Sequence, residues 1–426
     1  MREVWITGVG ILSSVGIGLD ATWDSLLAGR TGAGPIEDES AEAVGCGVAA
    51  RIGDFKARKF ITNRKSLKLM TRPVSLGVAA AGMAYEGAGM TPENMAAERL
   101  GIFVGAGQAF ADSNELRYAL DHCRDGDDVD MVKFGTEGLP MIHPLWLLRG
   151  LSNNVLGFVS LEYQAQGINN NYANSGISGS QAIVAALDAI REGFCDAAFA
   201  GGYDTQLSQE CLVGYGRLGL LANGMTEHRP FDRQRTGMVP SEGAGFLMLE
   251  AAEHARARGA QPIARLSGGG VASDAFGIAD PDPDGTKLAL AAEWALDSAG
   301  IGADSIDAIF AHGAASVRFD HVEAGVYRRL LGARAATVPV TADKASIGHT
   351  VAAGGAITAG VAAKALQAQV VPPIATLRDV GPDCEGLRYV CGSPLEGRFK
   401  HALVSSAGLG GQAAALVISR VDEEGA

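Results

Sequence analysis

The chain has 426 residues, 47% of them apolar and 19% charged, and this composition argues against a disordered protein and predicts a large buried core. Its net charge of −13 argues against a nucleic-acid-binding protein, because neutralising phosphates requires a basic surface.

Short β-type runs alternate with helical patterns along the first half of the chain. Helices are predicted for Pro73–Tyr85 and from Gly179 onward, after the polar run INNNYA. Strands are predicted for VWITGVGI near the N-terminus, GIFVGAG (101–107), DAAFAGG (196–202) and GAGFLMLE (243–250). The segment 122–138 predicts an excursion that carries acidic loop residues.

A basic stretch interrupts this acidic chain at residues 56–72, KARKFITNRKSLKLMTR, with seven basic residues and no acid. One interpretation is a solvated basic helix. The other is a docking surface for an acidic partner, centred on Arg64, Lys65 and Lys68.

The segment NYANSGISGS predicts a sharp turn that delivers residues onto the start of a helix. Backbone N–H groups and a helix dipole meet at such a junction, where they lower a thiol pKa or hold an oxyanion. The GxSxG pattern of serine hydrolases is absent. Ser175 and Ser178 remain candidate nucleophiles, although a serine in such a turn is more often a cap.

The second half of the chain repeats this alternation. Helices are predicted for Gly285–Ala299 and Val351–Gln369, and strands for PIARLSGGGV, AIFAHGA, TVPVTADK, LRYVCG and HALVSSAGLGGQAAALVIS. The pattern predicts an α/β fold with a mostly parallel sheet. No linker separates the halves, so we expect a duplicated, intertwined core with an N-terminal half, 1–252, that carries insertions and a C-terminal half, 253–426.

Six cysteines without CxxC spacing predict reduced thiols rather than a disulfide framework. The charge-free apolar stretches, such as Thr350–Ala363, are too short to span a membrane, and no basic-then-apolar leader is seen. These features predict a cytoplasmic protein without a membrane segment.

Two histidines lie at chemically suggestive positions. His312 ends the apolar strand AIFAHGA, and His349 precedes a small-residue helix, with Lys344 five positions earlier. Each alone is more often structural, but two imidazoles converging on one pocket would supply neutral donors for a carbonyl or carboxylate. No His, Cys or Asp set has metal-ligand spacing, so no metal is predicted.

These segments together resemble the β-ketoacyl synthase family of thiolase-like condensing enzymes almost from end to end. The resemblance rests on VWITGVGILSSVG, RPFDRQRTGMVPSEGAGFLMLE, AHGAASVRFDHVEA, DKASIGHTVAAGG and SSAGLGGQ. It implies a duplicated α-β-α-β-α layered fold with mixed, mostly parallel sheets. It also implies that His312, His349 and Lys344 take the family's catalytic positions, with Asp320 and Glu323 matching as well.

The family's reaction is a decarboxylative Claisen condensation, in which a cysteine takes an acyl group from acyl carrier protein. The resemblance therefore implies a carrier protein partner that brings its own phosphopantetheine arm, with no other cofactor. Here the family's cysteine position falls on Gly176, and the family's aromatic gate and oxyanion turn appears as Ala407, Leu409 and Gly410. Without a thiolate no acyl-enzyme forms, so we expect no elongation by this chain alone.

Cysteine-less members resembling this chain are the chain-length factors, or ketosynthase β subunits, which pair with a cysteine-bearing ketosynthase. The segment 143–160, with Trp146, Leu147 and Asn154, matches the family's dimer interface and tunnel, although an ordinary buried amphipathic helix also explains it. Alternatives left open are a malonyl-carrier-protein decarboxylase or acyltransferase that uses the two histidines, an engineered Cys-to-Gly variant, and a purely structural scaffold.

Overall fold

A computed structural model describes residues 1–37, 39–107 and 113–421. Its strands in chain order are β1 (Val4–Ser13), β2 (Gly16–Ile17), β3 (Ala33–Pro35), β4 (Val48–Ala50), β5 (Leu100–Ala106), β6 (Arg124–Asp125), β7 (Asp128–Val129), β8 (Asn169–Tyr172), β9 (Ala197–Thr205), β10 (Glu242–Ala251), β11 (Ala264–Ser273), β12 (Ala308–Phe310), β13 (Pro339–Thr341), β14 (Val370–Val371), β15 (Arg388–Tyr389), β16 (Leu395–Glu396), β17 (His401–Gly408) and β18 (Gln412–Ser419).

The α-helices in chain order are α1 (Leu19–Leu27), α2 (Glu39–Ala43), α3 (Arg64–Leu67), α4 (Arg72–Gly87), α5 (Ser113–His122), α6 (Met131–Lys133), α7 (Trp146–Arg149), α8 (Asn154–Tyr163), α9 (Ser178–Arg191), α10 (Gln209–Arg217), α11 (Ala252–Ala257), α12 (Thr286–Ala299), α13 (Asp320–Leu331), α14 (Lys344–Ile347) and α15 (Gly354–Ala368). Short 3₁₀ turns at Ser175–Ile177 and Val351–Ala353 precede α9 and α15. The long predicted strands and helices are confirmed, with bounds shifted by a few residues.

The strand order shows the same arrangement twice. One run of neighbours is β1-β10-β9-β5-β8 and the other is β11-β18-β17-β12-β13, and β1 pairs with β11 where the runs meet. In each run the first two pairings are antiparallel and the next two are parallel. The predicted duplication of the fold is confirmed. The exact division at residues 252 and 253 stays a prediction, which this repetition supports.

Alternate glycines on the first strand of each run let a helix backbone approach closely. A Cβ at Gly8 or Gly10 of β1 would overlap carbonyl oxygens of α4, and a Cβ at Gly268 or Gly270 of β11 would overlap carbonyl oxygens of α12. Glycine is needed at these positions because any side chain would push the covering helix off the sheet.

Helices α9 and α15 form the buried centre of the molecule. Each contacts strands of both runs, α9 reaching β9 and β11 and α15 reaching β10 and β17. Most of α15 is buried, as its run of small and apolar residues requires. The N-termini of these two helices lie beside the two turns that carry the predicted site residues, so the duplicated core brings those turns together.

Antiparallel pairing is more extensive than the sequence predicted. The sheet is mixed, as expected, but β1, β10, β9, β11, β18 and β17 pair antiparallel over their lengths. The prediction failed because strands buried on both faces read as continuous apolar runs whichever way they pair. The short turn between β17 and β18 also forces those two strands to run in opposite directions.

One described helical stretch, Val351–Ala368, is long and apolar enough to cross a membrane by composition, and 83% of it is buried inside the protein. This stretch exceeds the charge-free run considered in the sequence because it continues past Lys364. Its burial against both runs of strands explains its apolar composition.

Candidate active site

The turn before α9 is held in one conformation by its own serines. Ser175 has a φ of +49°, which is unusual for a residue with a side chain. The Ser178 hydroxyl accepts from the Asn174 N–H at 2.8 Å and donates to the Ser175 carbonyl at 2.8 Å. Ser178 is therefore a cap of this turn, while the Ser175 hydroxyl accepts from the Leu409 N–H at 3.2 Å.

Gly176 has no room for a side chain. A Cβ built on Gly176 lies less than 3.0 Å from the Ala407 carbonyl oxygen, a separation that real Cβ atoms do not show, and 3.3 Å from the Gly408 Cα. The backbone at the end of β17 thus occupies the place where a nucleophilic side chain would begin. The place is closed by backbone, which cannot rotate away as a side chain can.

His312 and His349 meet across the site. Their Nε2 atoms are 3.4 Å apart, and both side chains are buried. His312 Nδ1 accepts from the Ala407 N–H at 3.2 Å, and His349 Nδ1 accepts from the Val351 N–H at 3.0 Å. These bonds assign the proton of each neutral ring to Nε2.

The two Nε2–H groups therefore face each other as donors without an acceptor between them. Burial first, and then the charge of Lys344, lowers the pKa of both histidines well below the usual range. Both rings stay neutral at physiological pH and can donate together to one oxygen. A carboxylate or thioester carbonyl oxygen is such an acceptor.

Glu323 fixes the peptide of His312. Its carboxyl oxygens accept from the His312 N–H at 2.7 Å, the Gly313 N–H at 2.9 Å and the Ser405 hydroxyl at 2.9 Å, and also from the Tyr327 hydroxyl. The neighbouring Asp320 accepts from the Phe231 and Ser316 N–H groups. Of the two matched acids, Glu323 therefore positions His312, whereas Asp320 joins the segments of Phe231 and Ser316.

Lys344 lies buried beside the two histidines. Among the described residues its Nζ has no hydrogen-bond partner, and burial lowers its pKa, against the opposing charges of Asp343, Glu323 and Asp320. A buried donor without a partner is costly unless a bound group satisfies it. The Lys344 charge therefore acts on the two histidines at close range, although its side chain does not line the described cavity.

The turn that was predicted to form the gate is hydrogen-bonded to the site. The Ala407 amide is taken by His312, the Leu409 amide by Ser175, and the Gly410 amide by the Ile278 carbonyl at 2.8 Å. All three amides are engaged within the chain, so an oxyanion role for them requires the turn to open. That role stays a prediction.

A cavity of about 90 Å³ joins the site residues. Its lining combines the predicted Gly176, His312, His349, Ala407 and Leu409 with residues that sequence reasoning missed, namely Ser316, Phe319, Tyr215, Leu220 and Met238. No local motif marks these lining residues, because their elements meet only in the folded chain. Within the described ranges the lining contains no cysteine.

A second cavity of about 590 Å³ adjoins the first and shares Ser175, Tyr215, Val351 and Leu409 with it. Its wall includes the buried Asp204, another residue that the sequence analysis missed although it follows the predicted strand DAAFAGG closely. The Asp204 carboxyl accepts from the Thr205 and Ala352 N–H groups. Asp204 therefore ties β9 to the turn after His349.

Asp204 makes stability depend on pH. Burial raises the pKa of its carboxyl to about 7, so its contribution to stability is full below about pH 4 and is lost as pH rises through about 7. The carboxamide of Asp204→Asn does not titrate in this range. We therefore expect its free energy of unfolding, relative to that of the wild type, to rise by on the order of 3 kcal/mol from pH 4 to pH 8. Urea unfolding across this range measures the difference, with Asp297→Asn on α12 as control. A constant difference across the range would contradict the expectation.

The predicted docking residues lie away from the cavity. Arg64 and Lys65 are on α3 and Lys68 follows it, and all three side chains are exposed. No hydrogen bond or ion pair of these three side chains is found within the described ranges. They form an exposed cationic surface with Lys56, Arg58 and Lys59.

The predicted interface residues differ in their exposure to solvent. Leu147 is 73% exposed and Trp146 is half-buried, so α7 presents apolar surface to the outside. Asn154 is buried, and its side-chain amide donates to the Leu148 carbonyl at 2.8 Å and the Arg149 carbonyl at 3.2 Å. Asn154 therefore closes the C-terminal end of α7 within this chain. The alternative of an ordinary buried helix over 143–160 does not describe the exposed α7, whereas the following α8 is partly buried.

Several known proteins resemble this chain in sequence and in fold. The chain is 31% identical to 3-oxoacyl-[acyl-carrier-protein] synthase 2 of Rhizobium meliloti, over 99% of each chain. The ishigamide ketosynthase/chain length factor superposes with a TM-score of 0.88, at 28% identity, over 99% of this chain and 100% of that one. AntDE:AntF, a type II PKS acyl-carrier protein in complex with its ketosynthase, gives a TM-score of 0.85, at 26% identity, over 99% and 100%.

Two family models divide most of the chain between them. The model of the beta-ketoacyl synthase N-terminal domain matches residues 1–255, and the model of the C-terminal domain matches residues 263–378. They span both turns of the site, with Gly176 in the first and His312 and His349 in the second. The chain belongs to the beta-ketoacyl synthase family.

Proposed function

We propose that this chain is a non-elongating ketosynthase-like subunit of the chain-length-factor type, which pairs with a cysteine-bearing ketosynthase. The observation that carries the proposal is Gly176, whose Cβ position is taken by the Ala407 carbonyl. Condensation by this family needs a thiolate that accepts the acyl group, and no such group lines the histidine cavity in the described part of the chain. The thiolate then comes from a partner subunit.

An exposed apolar surface supports the pairing. Large apolar side chains concentrate between residues 131 and 168 and are exposed there: Met131, Val132, Leu139, Met141, Leu145, Leu147, Leu148, Leu151, Leu161 and Ile168. We call this set the 131–168 surface. So many exposed apolar side chains in one stretch mark a protein interface, because leaving them in water is unfavourable.

The sheet edge beside this surface supports it further. In the described residues β8 pairs with β5 on one side only. Asn169 and Asn170 at this edge are exposed. An open strand edge next to an apolar surface favours a partner that adds both backbone pairing and apolar burial. A second, cysteine-bearing synthase satisfies both.

The structural comparisons support the class of pathway. One similar structure is a ketosynthase/chain length factor, and another holds a type II PKS carrier protein against its ketosynthase. We therefore propose that the pair works in type II polyketide or fatty-acid-like chain assembly on acyl carrier protein, in the cytoplasm. The carrier protein delivers the growing chain on its phosphopantetheine arm.

Native mass spectrometry on the tagged chain isolated from its own host tests the proposal. A 1:1 complex with a second synthase that carries the cysteine is the expected result. A homodimer without such a partner would overturn it.

Charge at the 131–168 surface should break the complex. We expect Leu147→Asp to weaken the pairing at least tenfold, because a carboxylate would be buried against apolar partner surface. Sedimentation of the purified pair measures the dissociation constant. Phe194→Asp is the matched control, since Phe194 is an exposed apolar residue outside the surface. Equal weakening by both variants would remove the 131–168 surface from the interface.

The basic surface around α3 should bind the carrier protein. We expect Lys65→Glu with Lys68→Glu to weaken carrier binding to the complex about tenfold at low salt, because two attractions become repulsions. Titration of the carrier protein by fluorescence anisotropy measures this. Lys65→Glu alone is compared with Arg398→Glu, which changes net charge equally at another exposed site. Unchanged affinity in the double variant would rule the surface out.

The two Nε2–H donors favour a second candidate, decarboxylation of malonyl carrier protein. The malonyl C–C bond would break, CO2 would leave, and His312 and His349 would donate to the thioester oxygen that gains the electron pair; a solvent proton would complete the acetyl group. CO2 release by the chain alone, lost in His312→Ala, would support this activity.

The closed Cβ position at Gly176 argues against the third candidate, an engineered Cys-to-Gly variant.

A further inference from the structure

A third buried histidine lies near the two site histidines and takes no part in the functions described above. His228 is fully buried, and its ring centre is 6.3 Å from that of His349. It directly precedes the RPFD segment, which the sequence analysis used only as a family feature. A histidine this deep in a core is normally held by two hydrogen bonds or leaves a buried polar atom unpaired.

Each ring nitrogen of His228 binds a different segment. The Val239 N–H donates to its Nδ1 at 3.1 Å, so the proton of the neutral ring lies on Nε2. That Nε2–H donates to the Gly313 carbonyl at 2.9 Å. Burial lowers the pKa of His228 to about 4, which keeps the ring neutral and both bonds in this sense.

The bond from Val239 to Nδ1 connects His228 with the backbone of His349. The Val239 carbonyl accepts from the His349 N–H at 2.8 Å, and the Ser241 N–H donates to the His349 carbonyl at 3.2 Å. The backbone of His349 is thus bound to the segment whose amide His228 holds. A shift of Val239 would carry His349 with it.

The bond from Nε2 to the Gly313 carbonyl connects His228 with the segment of His312. Gly313 directly follows His312 and has a φ of +54°, and a Cβ there would lie 2.8 Å from the Ala342 Cβ. Its amide is bound by Glu323 and its carbonyl by His228, so both backbone polar atoms of Gly313, the residue after His312, are held. The His228 ring is the bridge between the two histidine-bearing segments.

We propose that His228 is a positioning residue that sets the separation and orientation of the His312 and His349 rings as a pair of donors to one oxygen acceptor. The proposal concerns the histidine pair of the proposed site, but it does not require a partner subunit or a particular reaction. It goes beyond a general stabilising role because it assigns each ring nitrogen to one of the two histidines.

Amide variants separate the two bonds. In His228→Gln the side-chain NH2 can take the place of Nε2, which keeps the bond to Gly313 and loses the acceptor for Val239. In His228→Asn the side-chain oxygen can take the place of Nδ1, which keeps the bond to Val239 and loses the donor to Gly313. His228→Leu removes both bonds. We therefore expect His228→Gln to disturb His349, His228→Asn to disturb His312, and His228→Leu to disturb both.

Histidine-selective NMR of the full chain measures the chemical shifts of the His312 and His349 rings directly. The two rings meet edge to face with centres 5.1 Å apart, so each ring current shifts the other's proton signals, and ¹⁵N shifts report the tautomer. Signals are assigned by their loss in His312→Gln and His349→Gln. In His228→Leu we expect both ring signals to move and the single Nε2–H tautomer to be lost.

His401→Leu is the control, because His401 is also buried and its Nδ1 is bonded to Ser419 at the opposite end of β17. That variant is expected to lower the melting temperature without moving the His312 or His349 signals. Unmoved signals in a folded His228→Leu variant would overturn the proposal. If His228→Leu does not fold, the amide variants decide: equal disturbance of both rings, or of neither, in both variants overturns it as well.

Discussion

Gly176→Cys is expected to give no condensing activity in this chain alone and to destabilise the fold by about 3 kcal/mol. The new Cβ would overlap the Ala407 carbonyl oxygen, and only a backbone shift, at the end of β17 or in the turn of Gly176, can relieve that overlap. Movement at the end of β17 would also draw the Ala407 amide away from His312 Nδ1 and release the tautomer of one donor. The substitution therefore damages the site that it is meant to restore.

Urea unfolding and an assay of chain elongation from malonyl carrier protein measure these effects. Gly176→Ala carries the same Cβ without a thiol and should lose the same stability. Gly214→Ala is the control, because a Cβ on Gly214 in α10 meets nothing within 4 Å and alanine favours a helix. Elongation by Gly176→Cys would instead identify this chain as a ketosynthase from which only the thiol had been removed.

Glu323→Ala is expected to cost about 4 kcal/mol of folding free energy, a large part of the total for a typical domain. It leaves the His312 and Gly313 amides and the Ser405 and Tyr327 hydroxyls without their shared acceptor in the core. Glu323→Gln keeps one oxygen acceptor and should lose less. Glu293→Ala, at an exposed position on α12, should change the free energy by less than about 0.5 kcal/mol.

Thermal and urea unfolding test this order of stability losses among the three variants. The ¹⁵N signal of His312 shows whether the loss of Glu323 also alters the His312 ring. A Glu323→Ala variant as stable as Glu293→Ala would mean that the four donors find other partners. In that case Glu323 would not be what fixes the peptide of His312.

The order of local segments was enough to predict the family and to propose candidate residues for the site. His312, His349 and Lys344 each lie in a short segment whose strand end, turn and following helix are visible in the sequence. The strand-turn-helix pattern around Gly176 is local in the same way. The resemblance of these segments, rather than their composition, suggested the roles, and the structure brings Gly176, His312 and His349 into one cavity.

Pairing direction in the sheet and the environment of Asn154 were beyond the sequence. Strands buried on both faces carry the same apolar pattern in parallel and antiparallel pairs, so the prevalence of antiparallel pairing was missed. Asn154 lies in a segment that matches an interface, but its amide binds carbonyls at the end of α7. Which face of a short helix points inward depends on what packs against it.

From local sequence patterns one could predict a beta-ketoacyl synthase fold and the two histidines, the lysine and the glycine that the resemblance assigns to its site. Three further features are visible only in the folded chain: the Ala407 carbonyl closes the place beside Gly176, backbone amides put both histidine protons on Nε2, and His228 bridges the two segments. The two sets of features differ in the range of the interactions that produce them. Strands, turns and helix starts follow from neighbours along the chain, whereas a steric overlap or a hydrogen bond depends on atoms that only the folded core brings within a few ångströms.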